Sequence, residues 1–199
     1  MKILRVSLIL LTIILSGCAT VSLPAPMAAP TTISKEQREA ALYSLENWSL
    51  TSALSLRQPQ KALLASLVWQ QQGQHYTQVI SGPFNVGSVR IEGMPGQVTL
   101  WRSAKLKYTA SSPEELMQKQ LGWQLPVSNM YYWVRGVAIP NVPATREYDN
   151  QGHLIGLNQA GWQIMYSDYK TIGNVDLPGK IELRSGQLQV KLVIKRWRV

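Results

Sequence analysis

Residues 48–81, WSLTSALSLRQPQKALLASLVWQQQGQHYTQVIS, decide the fold of this chain. Apolar and polar side chains alternate along residues 48–56, 62–71 and 75–81, and a period of two is typical of strands with one buried face. Gly73 stands among glutamines between the second and third runs, as expected for a tight turn. The stretch therefore predicts consecutive antiparallel strands.

Short alternating runs continue towards the C-terminus, and turns that contain glycine or proline separate many of them. No internal repeat is present. The further predicted strands are residues 88–92, 97–102, 107–110, a segment near Arg146, 154–158, 161–169, 180–184 and 188–196.

Three short helices interrupt this pattern. Residues 34–37, Ser-Lys-Glu-Gln, form a capping box that opens a helix over 35–46. Residues 112–115, Ser-Pro-Glu-Glu, open a second helix, which Gly122 ends, and a third is predicted over 127–134. The fold class is therefore mainly β with α: one curved antiparallel sheet lidded by short helices. The pattern leaves open whether the sheet packs solidly or encloses an apolar cavity.

The N-terminus is typical of an exported lipoprotein. Lys2 and Arg5 precede an apolar run over residues 6–15, which is too short to span roughly 30 Å of hydrocarbon. Residues 15–18, Leu-Ser-Gly-Cys, place small residues before Cys18, which we interpret as the lipid attachment site.

The chain after this signal has two parts. Residues 18–33 are rich in proline and small residues and are interpreted as a tether. We therefore predict a lipoprotein signal peptide over 1–17, a lipid-anchored tether over 18–33 and a single domain over 34–199. Several acyl chains at the anchor would hold the protein on a membrane permanently.

Composition excludes several classes of function. Cys18 is the only cysteine, so neither a disulfide nor a thiol nucleophile is expected in the domain. His75 and His153 have no neighbours at the spacing of a metal site, and no nucleophile elbow or phosphate loop is present. We therefore expect a protein that is not an enzyme and that needs neither metal nor cofactor.

The chain is basic. Its formal charge of +9 falls to +7 when the predicted signal, with Lys2 and Arg5, is removed. A cationic surface could meet anionic lipid headgroups or an acidic partner. The cations are scattered along the sequence, however, which favours a solvated surface and is unlike a nucleic-acid footprint.

Ordered motifs along almost the whole predicted mature chain resemble one family. They are LVWQQ (67–71), GPFNVGSVRIEG (82–93), LGWQLPV (121–127), YWVRG (132–136), NQAGWQIMY (158–166) and IKRW (194–197). Together with the signal, this order resembles the LolB family of outer-membrane lipoprotein receptors.

The resemblance implies a half-open barrel with an apolar cavity for acyl chains. It implies that acylated lipoproteins arrive on the periplasmic carrier LolA and enter outer-membrane lipid without nucleotide hydrolysis. The protein would then be a monomer, anchored through Cys18 on the periplasmic face of the outer membrane. Ala19, where inner-membrane lipoproteins often carry Asp, agrees with that location.

The resemblance also assigns residues. Phe84, flanked by Pro83 and Asn85, matches a protruding hydrophobic residue of the family that delivers cargo into the membrane. The family usually has Leu at this position and Gly at the next. A lone Phe packed in the core is the alternative. Arg135 is a candidate contact for the carrier or a headgroup, or alternatively stacks on Trp133.

A set of large apolar residues is the candidate lining of the acyl cavity, with ordinary core packing as the alternative for each. The set is Leu67, Trp69, Leu100, Leu116, Met117, Leu121, Met130, Trp133, Leu157 and Ile164. Two other functions stay open at this point: a lipid- or peptide-binding sensor lipoprotein, and a structural outer-membrane lipoprotein.

Overall fold

The computed structural model describes residues 33–85 and 87–199, so the predicted signal, Cys18 and all of the predicted tether except Ile33 lie outside the described residues. The helices are α1 (Lys35–Tyr43), α2 (Pro113–Leu121) and α3 (Val127–Trp133). The strands are β1 (Asn47–Gln58), β2 (Lys61–Gln72), β3 (His75–Ser81), β4 (Val89–Met94), β5 (Gln97–Trp101), β6 (Lys107–Ala110), β7 (Ala144–Tyr148), β8 (Leu154–Gln159), β9 (Trp162–Ser167), β10 (Lys170–Ile172), β11 (Val175–Leu177), β12 (Lys180–Ser185) and β13 (Leu188–Arg198).

Eleven strands form one antiparallel sheet in the order β6-β5-β4-β3-β2-β1-β13-β12-β9-β8-β7. Strands β1 to β6 pair in chain order, and so do β7 to β9. Strand β9 pairs with β12 and β12 with β13, and β1 pairs with β13, which joins the two halves of the chain. The edge strands β6 and β7 are not paired with each other in the described part of the chain. The predicted open, curved antiparallel sheet with short helices is confirmed.

Strand β1 shows why the sheet forms where the alternation predicted it. Leu50, Leu54 and Leu56 are buried on one face together with Ser52, whereas the alternate residues Thr51, Ala53 and Ser55 are partly exposed. The buried face packs on an aromatic cluster, in which the ring of Trp48 lies 5.1 Å from Trp69 and 5.6 Å from Trp197. Burial of such large rings supplies much of the hydrophobic stabilisation of a core.

The helices begin at the predicted caps. The Ser34 hydroxyl accepts from the Gln37 amide and the Gln37 side chain accepts from the Ser34 amide, so the capping box is present. The hydroxyl of Ser112 accepts from the Glu115 amide, and Gly122 ends α2 with a positive φ of 69°. Helix α1 ends three residues before its predicted end, because the chain must leave the helix to enter β1 at Asn47.

One element was not predicted. Strands β10 and β11 form a separate hairpin of three residues a side, too short to produce an alternating pattern. The predicted strand over 161–169 ends at Ser167, since Asp168 has a φ of 58° and starts the turn into that hairpin. Within the described ranges, no helix has the length and apolar content needed to cross a bilayer.

Candidate functional site: an open cavity and an exposed loop

A cavity of about 650 Å³ lies where α2 and α3 meet one end of strands β2 to β5. This volume falls within the roughly 300–1,000 Å³ of small-molecule sites. Its apolar and aromatic lining comprises Trp69, Tyr76, Met94, Pro95, Val98, Pro113, Val127, Tyr131 and Tyr132. Its polar lining comprises Glu46, Gln71, Gln74, Gln97, Ser111, Ser112 and Ser128.

Hydrogen bonds fix part of this wall. The indole N–H of Trp69 donates to the side-chain oxygen of Gln71 at 3.0 Å, and the Gln71 amide donates to the carbonyl of Gly73 at 2.8 Å. The hydroxyl of Tyr76 is buried without a hydrogen-bond partner, and burial raises the pKa of Tyr76. The cavity therefore combines a rigid aromatic wall with one buried hydroxyl that no protein group satisfies.

The predicted cavity residues occupy a different place from this wall. Of the ten, only Trp69 lines the cavity. Eight of the others are buried and Leu121 is half-buried, and they pack in the core; Trp133, for example, donates its indole N–H to Gln159 at 3.0 Å. Alternation identifies which side chains face inwards, but not which of them border a void. The tyrosines at the start of β3 and in α3, Tyr76, Tyr131 and Tyr132, were the signal that sequence reasoning missed.

Arg135 lies inside the protein, with none of its surface exposed. One guanidinium nitrogen donates to the carbonyls of Leu42 at 2.7 Å and Leu45 at 2.8 Å, and Nε donates to the carbonyl of Tyr131 at 3.0 Å. The guanidinium carbon lies 4.1 Å from the centre of the Tyr131 ring, so the residue stacks on Tyr131 and not on Trp133. In this structure Arg135 joins α1 to α3, and its guanidinium has no surface to offer to a carrier or a headgroup.

Phe84 is fully exposed, at 99%, on a short loop, Pro83–Asn85, between β3 and β4. Its φ of 56° and ψ of 26° lie in the left-handed region, which costs a residue with a Cβ about 1–2 kcal/mol. The hydroxyls of Ser81 and Ser88, 3.0 Å apart, close the base of this loop. The loop therefore holds a large apolar ring in solvent at an energetic cost, and the alternative of a Phe84 packed in the core does not apply.

The loop and the cavity lie at opposite ends of β3. Tyr76, which lines the cavity, pairs with Gly93 near one end, whereas Ile80 pairs with Val89 at the base of the Phe84 loop. Strand β3 has seven residues, which separates the two features by about 20 Å.

His153 has neighbours that sequence reasoning overlooked. Its Nδ1 lies 3.0 Å from a carboxylate oxygen of Asp149, and its Nε2 lies 3.2 Å from one of Asp176. Asp176 also pairs with Arg38 of α1, and the His153 ring stacks on Tyr169 with centroids 4.4 Å apart. The cluster ties α1 to the β10–β11 hairpin. Among the described residues, neither this cluster nor any other group of His, Cys, Asp and Glu side chains has an arrangement that could hold a metal ion.

Comparison with known proteins decides the family. The profile described as "Outer membrane lipoprotein LolB" matches residues 46–197, which include β1 to most of β13. This chain belongs to the LolB family. An outer-membrane lipoprotein LolB of Coxiella burnetii (strain RSA 493 / Nine Mile phase I) is 43% identical over 97% of this chain and 92% of its own length. The LolB of Nitrosococcus oceani is 39% identical over 100% of both chains. The resemblance found in the ordered motifs is confirmed.

Solved structures with very low sequence identity have folds similar to that of this LolB-family chain. A LolA superfamily protein from Nitrosomonas europaea has a TM-score of 0.58 at 8% identity, over 82% of this chain and 90% of the other. A DUF1329 family protein from Desulfovibrio piger has a TM-score of 0.56 at 7% identity, with the same coverage. At such identities the likeness shows a shared fold.

Proposed function

We propose that this protein is the receptor that accepts acylated lipoproteins from the soluble periplasmic carrier LolA and inserts them into the outer membrane. One observation carries the proposal: a LolB-family chain has an open aromatic cavity of about 650 Å³ on its sheet. No observation favours the sensor or the structural lipoprotein over this receptor. The proposed cargo is a lipoprotein, and the proposed reaction is transfer without covalent chemistry.

The physical basis of the transfer is apolar burial. Each methylene that leaves water contributes about 0.8 kcal/mol, so an acyl chain moves towards whichever site buries it best. A cavity that binds the chains better than the carrier does, and a bilayer that binds them better still, give a downhill sequence without an energy source. The mixed aromatic and polar lining suits an acyl chain attached to a polar linkage.

The proposed role of Phe84 is to enter the boundary between headgroups and hydrocarbon. An exposed aromatic ring on a loop tip is suited to this depth, since it is apolar and compact. The proposed anchor is lipid on Cys18 after removal of residues 1–17, with residues 18–33 as the tether on the periplasmic face. The anchor keeps the domain near its membrane and is not part of the cavity.

A transfer assay tests this function. Mature lipidated protein in vesicles is mixed with carrier loaded with an acylated lipoprotein. Sedimentation measures cargo removed from the carrier, and photocrosslinking to the receptor distinguishes cargo held by the receptor from cargo inserted in the bilayer. We expect wild type to strip the carrier and load the vesicles, whereas Phe84→Glu strips the carrier but loads the vesicles at least about tenfold more slowly. Val193→Glu, which replaces another exposed apolar residue, is the matched control and should behave as wild type. A wild-type protein that takes no cargo from the carrier contradicts the proposal.

A further inference from the structure

The sheet brings several separate turns to the end that holds Phe84. Antiparallel register places the β1–β2 turn, the β3–β4 loop and the β5–β6 turn at the same end of six adjacent strands, with the β1–β2 hairpin extending beyond the end of β3. We define the Phe84 end as residues 57–64, 81–85, 87–90 and 101–107. At about 4.8 Å between strands, it is about 24 Å wide.

The Phe84 end is cationic and contains no acid. Its six basic residues are Arg57, Lys61, Arg90, Arg102, Lys105 and Lys107, while all eleven acidic residues of the chain lie elsewhere. The nearest acid in register, Glu92, pairs with Arg90 at 3.4 Å. The scattered cations of the sequence are therefore gathered in the fold, because antiparallel turns bring distant segments to one end. These cations are scattered in the sequence but lie at one end of the sheet.

Two of these cations hold the end of α2. Lys61 donates to the carbonyl of Leu121 at 2.6 Å and lies 4.3 Å from the Trp123 ring. Arg102 donates to the carbonyl of Gln120 at 2.7 Å. Cations at a helix C-terminus are stabilised by the partial negative charge of its carbonyls. Their charge is therefore kept at this end by the structure of the domain.

The other cations point to solvent. Arg57 and Lys105 are exposed and have no ion pair among the described residues, and Lys107 is exposed with its ammonium 5.1 Å from the Trp101 ring. Two further apolar side chains stand out between them: Leu64, 65% exposed, and Leu106, 45% exposed. Exposed apolar residues among cations are typical of surfaces that settle on anionic lipid.

From this arrangement we propose that the Phe84 end is a membrane-docking face selective for anionic headgroups. Phe84, Leu64 and Leu106 enter the interface, and Arg57, Lys105 and Lys107 meet lipid phosphates. This proposal rests on the proposed function and adds a lipid class and an orientation to it. The cavity opens at the other end of the strands, so a carrier that delivers to the cavity approaches away from this face.

An environment-sensitive fluorophore tests the orientation. With Cys18 acylated, one introduced cysteine is the only thiol of the mature protein, so it can be labelled selectively. We place it at Ser103, in the β5–β6 turn, or at Gln151, in the β7–β8 turn at the opposite end. In vesicles containing phosphatidylglycerol, emission from position 103 should shift to the blue and emission from position 151 should not. Phosphatidylcholine alone, or high salt, should weaken the shift.

Matched charge reversals test the selectivity. Arg57→Glu/Lys105→Glu/Lys107→Glu should abolish the blue shift, since each lost cation weakens partition to an anionic surface about fivefold. Lys170→Glu/Lys195→Glu/Arg198→Glu changes the net charge equally on exposed sites elsewhere and should keep it. Equal effects of the two triple variants, or an equal shift in phosphatidylcholine, overturn the proposal.

Cargo stripping, measured on the same vesicles, separates this proposal from the proposed function. If the protein removes cargo from the carrier but the label at position 103 shows no blue shift, the proposed receptor function stands and the proposed docking face is overturned. A blue shift without stripping supports the docking face and contradicts the receptor. If the first triple variant loses stripping but keeps the blue shift, the cations serve the carrier, and the lipid assignment is wrong.

Discussion

The guanidinium of Arg135 lies 2.7 Å from the carbonyl oxygen of Leu42, and this bond joins the chain after α3 to the last turn of α1. The same nitrogen reaches Leu45, so the end of α1 and the approach to β1 share one buried donor. The sequence predicted Arg135 as a candidate surface contact, whereas the structure buries it between α1 and α3.

We predict that Arg135→Met lowers the free energy of unfolding by about 2–3 kcal/mol, because buried carbonyls lose a charged donor. Arg135→Lys should recover only part of the loss, since one ammonium cannot reproduce the forked geometry. Urea unfolding measures both. Arg57→Met, on the exposed surface, is the control and should change stability by less than about 0.5 kcal/mol. An equal effect of the two methionine variants contradicts a bridging role for Arg135.

Phe84→Gly should stabilise the domain and impair delivery at the same time. Glycine adopts the observed φ of 56° without strain, so we expect a gain of about 1 kcal/mol in the free energy of unfolding. Loss of the ring should slow vesicle loading. Phe84→Leu restores an apolar side chain and should keep both the strain and the loading. Denaturation and transfer assays on the three proteins check this opposition, and a Gly variant that loads at the wild-type rate would refute it.

Gly93→Ala should disturb the cavity through Tyr76. An ideal Cβ at Gly93 would clash with ring atoms of Tyr76, so the ring has to leave its place in the cavity wall. We expect a loss of about 1–3 kcal/mol in stability and weaker binding of a fluorescent fatty acid. Combining it with Tyr76→Leu should restore stability, because the clash is removed. Additive losses in the double variant would show that the ring is not the cause.

Acid should weaken the ion-pair network around Glu182. The ammonium of Lys180, 3.0 Å from Glu182, lowers the pKa of that carboxyl, and Lys191 at 3.4 Å adds to the effect. A carboxyl whose pKa is lowered in the folded state stabilises the fold at pH values above its ordinary pKa of about 4.3. That contribution is lost as the pH falls through the lowered pKa. Glu182→Gln should therefore flatten the loss of stability between about pH 5 and pH 3. Glu46→Gln is the comparison, and identical pH profiles for wild type and Glu182→Gln would contradict the prediction.

The sheet could be predicted because its signal is local. Alternation over residues 48–56 and a glycine at position 73 fix a strand and a turn without knowledge of anything distant. The hairpin of β10 and β11 could not be predicted, since three-residue strands give no period and Asp168 takes a positive φ without being glycine.

The site was less predictable, because its properties depend on distant partners. Phe84 was located by family resemblance, but its exposure depends on the backbone angle of its own turn. Nothing in the residues around Arg135 indicates that it will be buried and will donate to the carbonyls of Leu42 and Leu45, 93 and 90 positions away. The charge of the Phe84 end likewise exists only after six strands are placed side by side.

If cargo enters at the cavity and leaves at the Phe84 loop, as we propose, loading and unloading take place at opposite ends of β3. The proposed tether of sixteen residues can extend at most about 55 Å, while the twelve-residue β1 measures about 40 Å. An anchor of that reach does not dictate which face meets the bilayer. In the proposed function, the domain would therefore fill with one end of its strands turned to the aqueous space and empty with the other end turned to the lipid.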